Sequence, residues 1–366
     1  MIDFPANPTK GQVYATGAAA WTFDGVKWIA NSGAPAIDPH YRNRIINGDM
    51  SVDARSGGAL IAMPAADAYA IDRWKFNNSG VASKGNVGQH TSSALGAYPY
   101  YLLFSTTTAY SPAASDIIRF WQAIEGYNFN DAQWGTASAL SVVLEFWAQG
   151  TVAGTYSFSL QNGAVNRCYI GTFNLPANTW TKVRANIPGD TAGTWSVAGN
   201  AAALYLGFGL CVGATLQTAT VNAWQAGGFI SATGSINVLG AINNILAITG
   251  VALMVGSAAQ NAEPEFRKYS DNLIDCQRYY QSISGSLYVP VANLATWNGA
   301  LWSSVLPVTM RASPTVALSL VGNGGGWNGG LTSASVTPLA IEAYPTLNQP
   351  TAGAYTSLTA LCDADF

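Results

Sequence analysis

Three stretches of this sequence alternate apolar residues with other types at a period of two: Leu140, Val142, Leu144 and Phe146; Tyr156, Phe158 and Leu160; and Leu204, Leu206, Phe208, Leu210 and Val212. Successive side chains of a strand point to opposite faces, so each run turns one apolar face toward a core. Asn162-Gly163, Pro188-Gly189-Asp190 and Gly199-Asn200 supply turns between such runs. Many short strands at these intervals, with no repeating helical pattern, predict a mostly all-β chain whose large unit, residues 42–262, is an antiparallel jelly-roll sandwich.

One segment breaks the alternation. From Phe266, residues Tyr269, Leu273, Cys276 and Tyr280 recur at three or four, with Pro264 upstream and Gly285 downstream. That spacing predicts a single helix within 263–284 that closes the sandwich, with Arg267 and Arg278 on one side of it. Residues 285–366 return to strand patterns and Gly-rich loops, and read as a smaller β unit. At the other end, residues 1–33 form a separate module. Gly11-Gln12-Val13-Tyr14 predicts one strand, and Trp21-Thr22-Phe23 and Val26-Lys27-Trp28-Ile29 flank Asp24-Gly25, a favoured two-residue hairpin turn. So small a β-meander buries too little surface to stand alone and needs copies of itself or a docking partner. Polar and small residues make 34–41 a linker.

Charge is scarce: Asp, Glu, Lys and Arg make 10% of the chain, against about a quarter in ordinary proteins. A surface this poor in charge suggests cover by neighbouring subunits. The formal charge of -3 and the absence of a basic run argue against nucleic acid as a partner. The start lacks a cationic segment followed by an apolar one, so no secretory signal is expected. Ile236 to Val255, the most apolar long stretch, is broken by Asn237, Asn243, Asn244 and glycines, and reads as strands and turns, not as a membrane span. Cys168, Cys211, Cys276 and Cys362 lie far apart without metal-ligand spacing; no metal or cofactor is expected, and Cys168 and Cys211 read as small buried hydrophobes.

Several segments carry a resemblance to bacteriophage tail-fibre and tail-appendage proteins. They are Phe4-Pro5-Ala6-Asn7-Pro8-Thr9-Lys10-Gly11-Gln12 with the Trp-rich hairpin; Asn43-Arg44-Ile45-Ile46-Asn47-Gly48-Asp49-Met50; Tyr69-Ala70-Ile71-Asp72-Arg73-Trp74; Glu265-Phe266-Arg267-Lys268-Tyr269 with Cys276-Gln277-Arg278-Tyr279-Tyr280; and Met310-Arg311-Ala312-Ser313-Pro314-Thr315-Val316. The resemblance implies a virion protein, made in the host cytoplasm, with a jelly roll similar to carbohydrate-binding modules and a homotrimeric assembly. It implies that the N-terminal piece, through Phe4, Pro5, Tyr14, Trp21, Phe23 and Trp28, docks to another tail, collar or capsid protein or to its own copies. No long shaft separates this anchor from the jelly roll, which favours a short fibre. In so uncharged a chain, Arg44, Asp72 and Arg73 read as a buried or interface ion-pair set, and Trp74 and Tyr69 as core aromatics.

Chemistry has little material. The two histidines, His40 and His90, sit in no hydrolase or metalloprotease context, and neither glycine-rich stretch has the ending of a phosphate loop. Glu145, Asp49, Asp53, Asp131 and Glu263 could supply a glycosidase pair, but no spacing singles one out. The expected reading is a non-enzyme. Sugar rings pack on aromatic faces, and the C-terminal unit offers Trp297, Trp302, Trp327 and Tyr344 with Asn328 nearby as glycan-binding candidates for a host surface polysaccharide. Trp297 and Trp302 could instead be core residues. The sequence thus predicts a short tail fibre that attaches to a surface glycan, with a purely structural head or collar fibre or decoration protein, and a glycan depolymerase, as alternatives.

Overall fold

The computed structural model describes residues 4–16, 19–30, 43–91, 94–196, 198–256, 268–288, 302–324, 331–345 and 355–365. Strands β1 (Val13–Thr16), β2 (Ala19–Phe23) and β3 (Trp28–Ala30) make an antiparallel meander. Phe23 pairs with Trp28, so the connection spans residues 24–27 and is longer than the two-residue turn expected from Asp24-Gly25. The reason is local: the Asp24 carboxylate accepts the N–H groups of Val26 and Lys27, each at 2.8 Å, which wraps the chain around that side chain.

The sandwich is built of two sheets. One has six strands in the order β13-β10-β18-β8-β7-β4: β4 (Ile61–Ala62), β7 (Gly85–Thr91), β8 (Tyr100–Thr106), β10 (Val142–Gly150), β13 (Thr181–Ile187) and β18 (Ile245–Val255). The other has seven, β16-β12-β11-β14-β9-β6-β5: β5 (Ala68–Ile71), β6 (Trp74–Asn78), β9 (Ile117–Glu125), β11 (Gly154–Asn162), β12 (Arg167–Leu175), β14 (Ala202–Val212) and β16 (Trp224–Ala226). Short strands β15 (Gln217–Thr218) and β17 (Ser231–Ala232) pair in parallel beside them. The inward faces are the alternating residues of the sequence: Val142, Leu144 and Phe146 on β10, Tyr156, Phe158 and Leu160 on β11, and Leu204, Leu206 and Phe208 on β14 are all buried. Leu140 precedes β10 and is exposed. Gly171 stands opposite Phe158, and a Cβ there would collide with the Phe158 ring, so the bare glycine makes room for a core aromatic.

The helix α1 spans only Tyr269–Gln277. A short helix within 263–284 is present, but Tyr280, expected on its face, lies outside it, because Tyr280 pairs with Asp363 and begins β19 (Tyr280–Tyr288). Residues 263–267, including Arg267, lie outside the described residues, as does the 34–41 linker. The face that α1 buries is Asn272 and Cys276, not Tyr269, which is exposed. The C-terminal unit stacks two three-stranded sheets, β19-β24-β21 and β20-β23-β22, made of β20 (Trp302–Val305), β21 (Thr315–Gly324), β22 (Leu331–Val336), β23 (Ala340–Pro345) and β24 (Tyr355–Asp363). Leu306, Met310, Ile341, Leu358 and Cys362 form its core with Trp302.

A buried ionic joint fixes this unit on the sandwich. Arg55 bonds Asp363 and Asp365, each at 2.7 Å, and Arg73 bonds Asp365 from the other side while its guanidinium lies 3.4 Å from the centre of the Tyr279 ring. Across the joint, Glu125 receives Arg311 at 3.0 Å and Arg278 at 3.4 Å. Asn47, fully buried, ties the segment before the sandwich into the same place: its amide donates to the carbonyls of Val52 and Asp72, and its N–H is accepted by Asn272 of α1. The set expected from Arg44, Asp72 and Arg73 is therefore divided. Arg44 pairs with Asp131, Arg73 with Asp365, and the Asp72 carboxylate accepts the Ala54 N–H at 2.6 Å. Arg73 occupies the turn between β5 and β6 at φ 69°.

Candidate functional site

The outward face of the six-stranded sheet carries an aromatic platform. On β10, Phe146 and Ala148 point inward, so Trp147 points out, between Lys182 of β13 and Thr249 of β18. On β8 the buried Leu102 leaves Tyr101 outward, opposite His90 of β7. Trp180, just before β13, stands edge-on to Tyr101 with ring centres 5.4 Å apart, and His90 lies 5.3 Å from Tyr101 on its other side. The Tyr101 hydroxyl and His90 Nδ1 are 2.9 Å apart, and burial pushes the Tyr101 hydroxyl above its ordinary pKa. Tyr98, Tyr101, Trp147 and Trp180 are half-buried and His90 is exposed, so ring surface is held in place yet remains open to solvent.

One backbone irregularity makes room for two of these rings. Between Glu145/Ala252 and Trp147/Thr249 the β10–β18 register slips, with the extra residue on β18. Gly250 sits in this bulge at φ 60°, a conformation that costs any other residue. A Cβ at Gly250 would lie 3.1 Å from Trp147 Cδ1 and 3.3 Å from Tyr98 Cζ. The missing side chain is what lets Trp147 and Tyr98 settle over the strand.

Beside the platform, the buried Glu145 carboxylate accepts Lys182 at 2.9 Å and Arg184 at 2.6 Å, which holds two long side chains against the sheet. The far end of the same face is different in kind: Val143, Ala252 and Met254 are buried and apolar. The usable surface is therefore the half around Trp147, Tyr101 and Trp180. Rigid rings with polar ends nearby suit stacking on the apolar faces of sugar rings, with hydroxyls taken by His90 and Lys182.

The residues expected to contact glycan from the sequence lie elsewhere. Trp302 is 8% exposed in the C-terminal core, packed over Gly285, so its ring has no free face. Tyr344 belongs to β23, opposite Thr332 of β22. Trp297, Trp327 and Asn328 lie outside the described residues. In the N-terminal module, Phe4 stacks on Trp28 at 5.2 Å and meets Tyr14 and Trp21 edge-on, Phe23 contacts Trp28, and Pro5 is half-buried. These residues form one cluster within the chain. Their outer surfaces are what a docking partner would meet.

The carboxylates considered for glycosidase work are engaged in the fold. Asp49 binds Ser51 and Asn272, Asp53 accepts the N–H groups of Ser56 and Gly58, Asp131 pairs with Arg44, and Glu145 with Lys182 and Arg184. Glu263 is outside the described residues. Cys168, Cys211, Cys276 and Cys362 are buried and unbonded to one another. No helix among the described residues is long and apolar enough to cross a membrane.

No family model matches the chain. No curated protein matches it either. Among solved structures, it is similar to a sugar-binding protein from Bacteroides thetaiotaomicron, at 12% identity over 58% of this chain and 99% of that one, with a TM-score of 0.35. It is also similar to a family 11 carbohydrate-binding module from Clostridium thermocellum in complex with a β-1,3-1,4-mixed-linked tetrasaccharide, at 9% identity over 54% and 95% of the two chains, with a TM-score of 0.26. A third, a module of carbohydrate-binding family 4, matches at 16% identity over 47% of this chain and 89% of that one, with a TM-score of 0.24. Likeness this distant assigns no ligand, and the functional reading rests on the residues of the sheet face.

Proposed function

We propose that this chain is a structural virion protein, a short phage tail fibre that presents a glycan-binding β-sandwich to the host surface. The observation that carries the binding role is the platform of Trp147, Tyr101 and Trp180, with Trp147 seated against Gly250 and the rings left partly open. The sequence markers support the virion role, with the N-terminal aromatic module as the attachment point and a homotrimer as the assembly. The engagement of Asp49, Asp53, Asp131 and Glu145 in structural bonds supports binding without catalysis over depolymerisation. Trimeric display would combine weak contacts into an avidity about 10²- to 10⁴-fold above a single site.

Purified chain should bind host cells or their extracted surface polysaccharide, and a Trp147→Ala, Trp180→Ala double variant should lose that binding while keeping its fold. Undiminished binding by the double variant would remove the sheet face from the reading. The second reading is a head or collar fibre or decoration protein with no receptor contact. It is favoured by the ionic joint, where Arg73, Arg278 and Arg311 from the shared markers all serve internal structure. Cryo-electron microscopy of the particle separates the two by showing where the chain sits and which face it turns outward.

A further inference from the structure

A cleft of about 610 Å³ opens where the sandwich meets the C-terminal unit, on the opposite sheet from the aromatic platform. Arg55, Asp67, Tyr69 and Lys75 line it from the sandwich side, and Thr315 and Asp363 from the other. Its size lies within the roughly 300–1,000 Å³ of small-ligand sites, which favour such junctions.

The charges in this cleft are matched before any ligand arrives. Arg55 is bound by Asp363 and Asp365, Asp365 is also held by Arg73, and the Lys75 ammonium lies 3.8 Å from Asp67. Arg55 is further clamped between the Tyr69 and Tyr280 rings, 4.3 and 4.1 Å from their centres. An ionic ligand would have to compete with pairs that are already made, which offsets what it gains. A neutral polyol meets no such cost. Each of its hydroxyls donates and accepts, and the walls hold both partners in fixed positions: the Asp67 and Asp363 carboxylates, with side chains 38% and 35% exposed, and the Lys75 ammonium. Thr315 donates its hydroxyl to the Asp363 carbonyl and keeps lone pairs for a ligand. Ala68, Ala317 and Leu361 offer small apolar surface for C–H groups between the hydroxyls.

We propose that this junction cleft is a second binding site, for a short segment of neutral glycan, independent of the sheet face. Because its walls belong to both units, a bound segment also braces the joint between them.

The test uses the full chain carrying Trp147→Ala and Trp180→Ala, so that the sheet face is silent, on an array of neutral and acidic oligosaccharides. Retention of at least one neutral glycan is expected, with affinity reduced about tenfold or more by Ala317→Trp, which fills the cleft. Asp67→Ala is the second probe should Ala317→Trp disturb folding, as judged by circular dichroism. Retention of no neutral glycan, or retention unaffected by either cleft substitution, overturns the proposal. Ligands lost with the tryptophans report on the sheet face, and those lost with the cleft substitutions report on this site.

Discussion

Arg73 and Asp365 form an ion pair although they lie 292 positions apart, and each side chain is only 2% exposed. Such a pair contributes little net stability over an apolar substitute, since both ions are taken out of water. Losing one partner is costly, because the other stays buried.

Replacing Arg73 with Met should therefore destabilise the chain by about 3–5 kcal/mol, read by chemical denaturation. Asp365 keeps its pair with Arg55 in that variant, so adding Asp365→Asn should cost further stability, and the shortfall of the double variant Arg73→Met, Asp365→Asn from additivity measures the Arg73–Asp365 coupling. If the two losses simply add, the guanidinium acts mainly through Tyr279 and the Ala123 carbonyl, which its Nη2 also reaches at 2.7 Å.

Asp72 gives the joint a pH signature. Burial raises its pKa from 3.8 to about 6, against the opposing pull of Arg55 and the Ala54 N–H. A carboxyl raised on folding binds more protons in the native state than in the unfolded one between those two values, so its contribution to stability is greatest below about pH 4 and falls as pH rises to about 6. The difference amounts to about 2–3 kcal/mol. Comparing wild type with Asp72→Asn across this range should isolate it: the variant should show the shallower decline, and parallel curves would refute the assignment.

The cysteines should be silent to thiol reagents in the native state. Burial pushes Cys211 up to about 12 and Cys362 to about 11, raises Cys168, and raises Cys276 well above the ordinary thiol value. At pH 8 little thiolate forms and access is blocked. Labelling should appear only on denaturation, and fast labelling of folded protein at any of them would contradict the packing.

Gly250→Ala tests the platform through its support. The substitution places a side chain at φ 60° and against Trp147 and Tyr98. It should cost roughly 1–2 kcal/mol of stability and weaken glycan binding by displacing the rings. Intact binding in a folded Gly250→Ala protein would show that the seating of Trp147 and Tyr98 over Gly250 is not required.

The core of the sandwich was legible because alternation is a local property: Leu144 and Phe146 announce their face without knowledge of their partners. The platform was not. Trp147 lies on the face that alternation marks as outward, and an aromatic there is the one signal that pointed to it. Its importance depends on Gly250, more than a hundred positions away, and strand pairing at that distance leaves no local trace. The misplacing of Tyr280 on the helix has a similar cause. Tyr280 keeps the helical spacing of Tyr269, Leu273 and Cys276, but the hydrogen bonds offered by β24 decide its conformation. For Trp302 the sequence leaves glycan contact and core packing both open, because composition cannot tell a ring packed on Gly285 from one facing solvent, and the structure selects the core.

The joint also separates what identifies this chain from what equips it. Asn47, Arg73, Arg278 and Arg311, which carry the recognisable sequence markers, meet at the joint, whereas Tyr101, Trp147 and Trp180 share none of their described bonds. The sheet face can thus be rewritten by substitution while the scaffold holds its shape. Substitution at Trp147 would alter the open face, whereas substitution at Arg73 would disturb the joint.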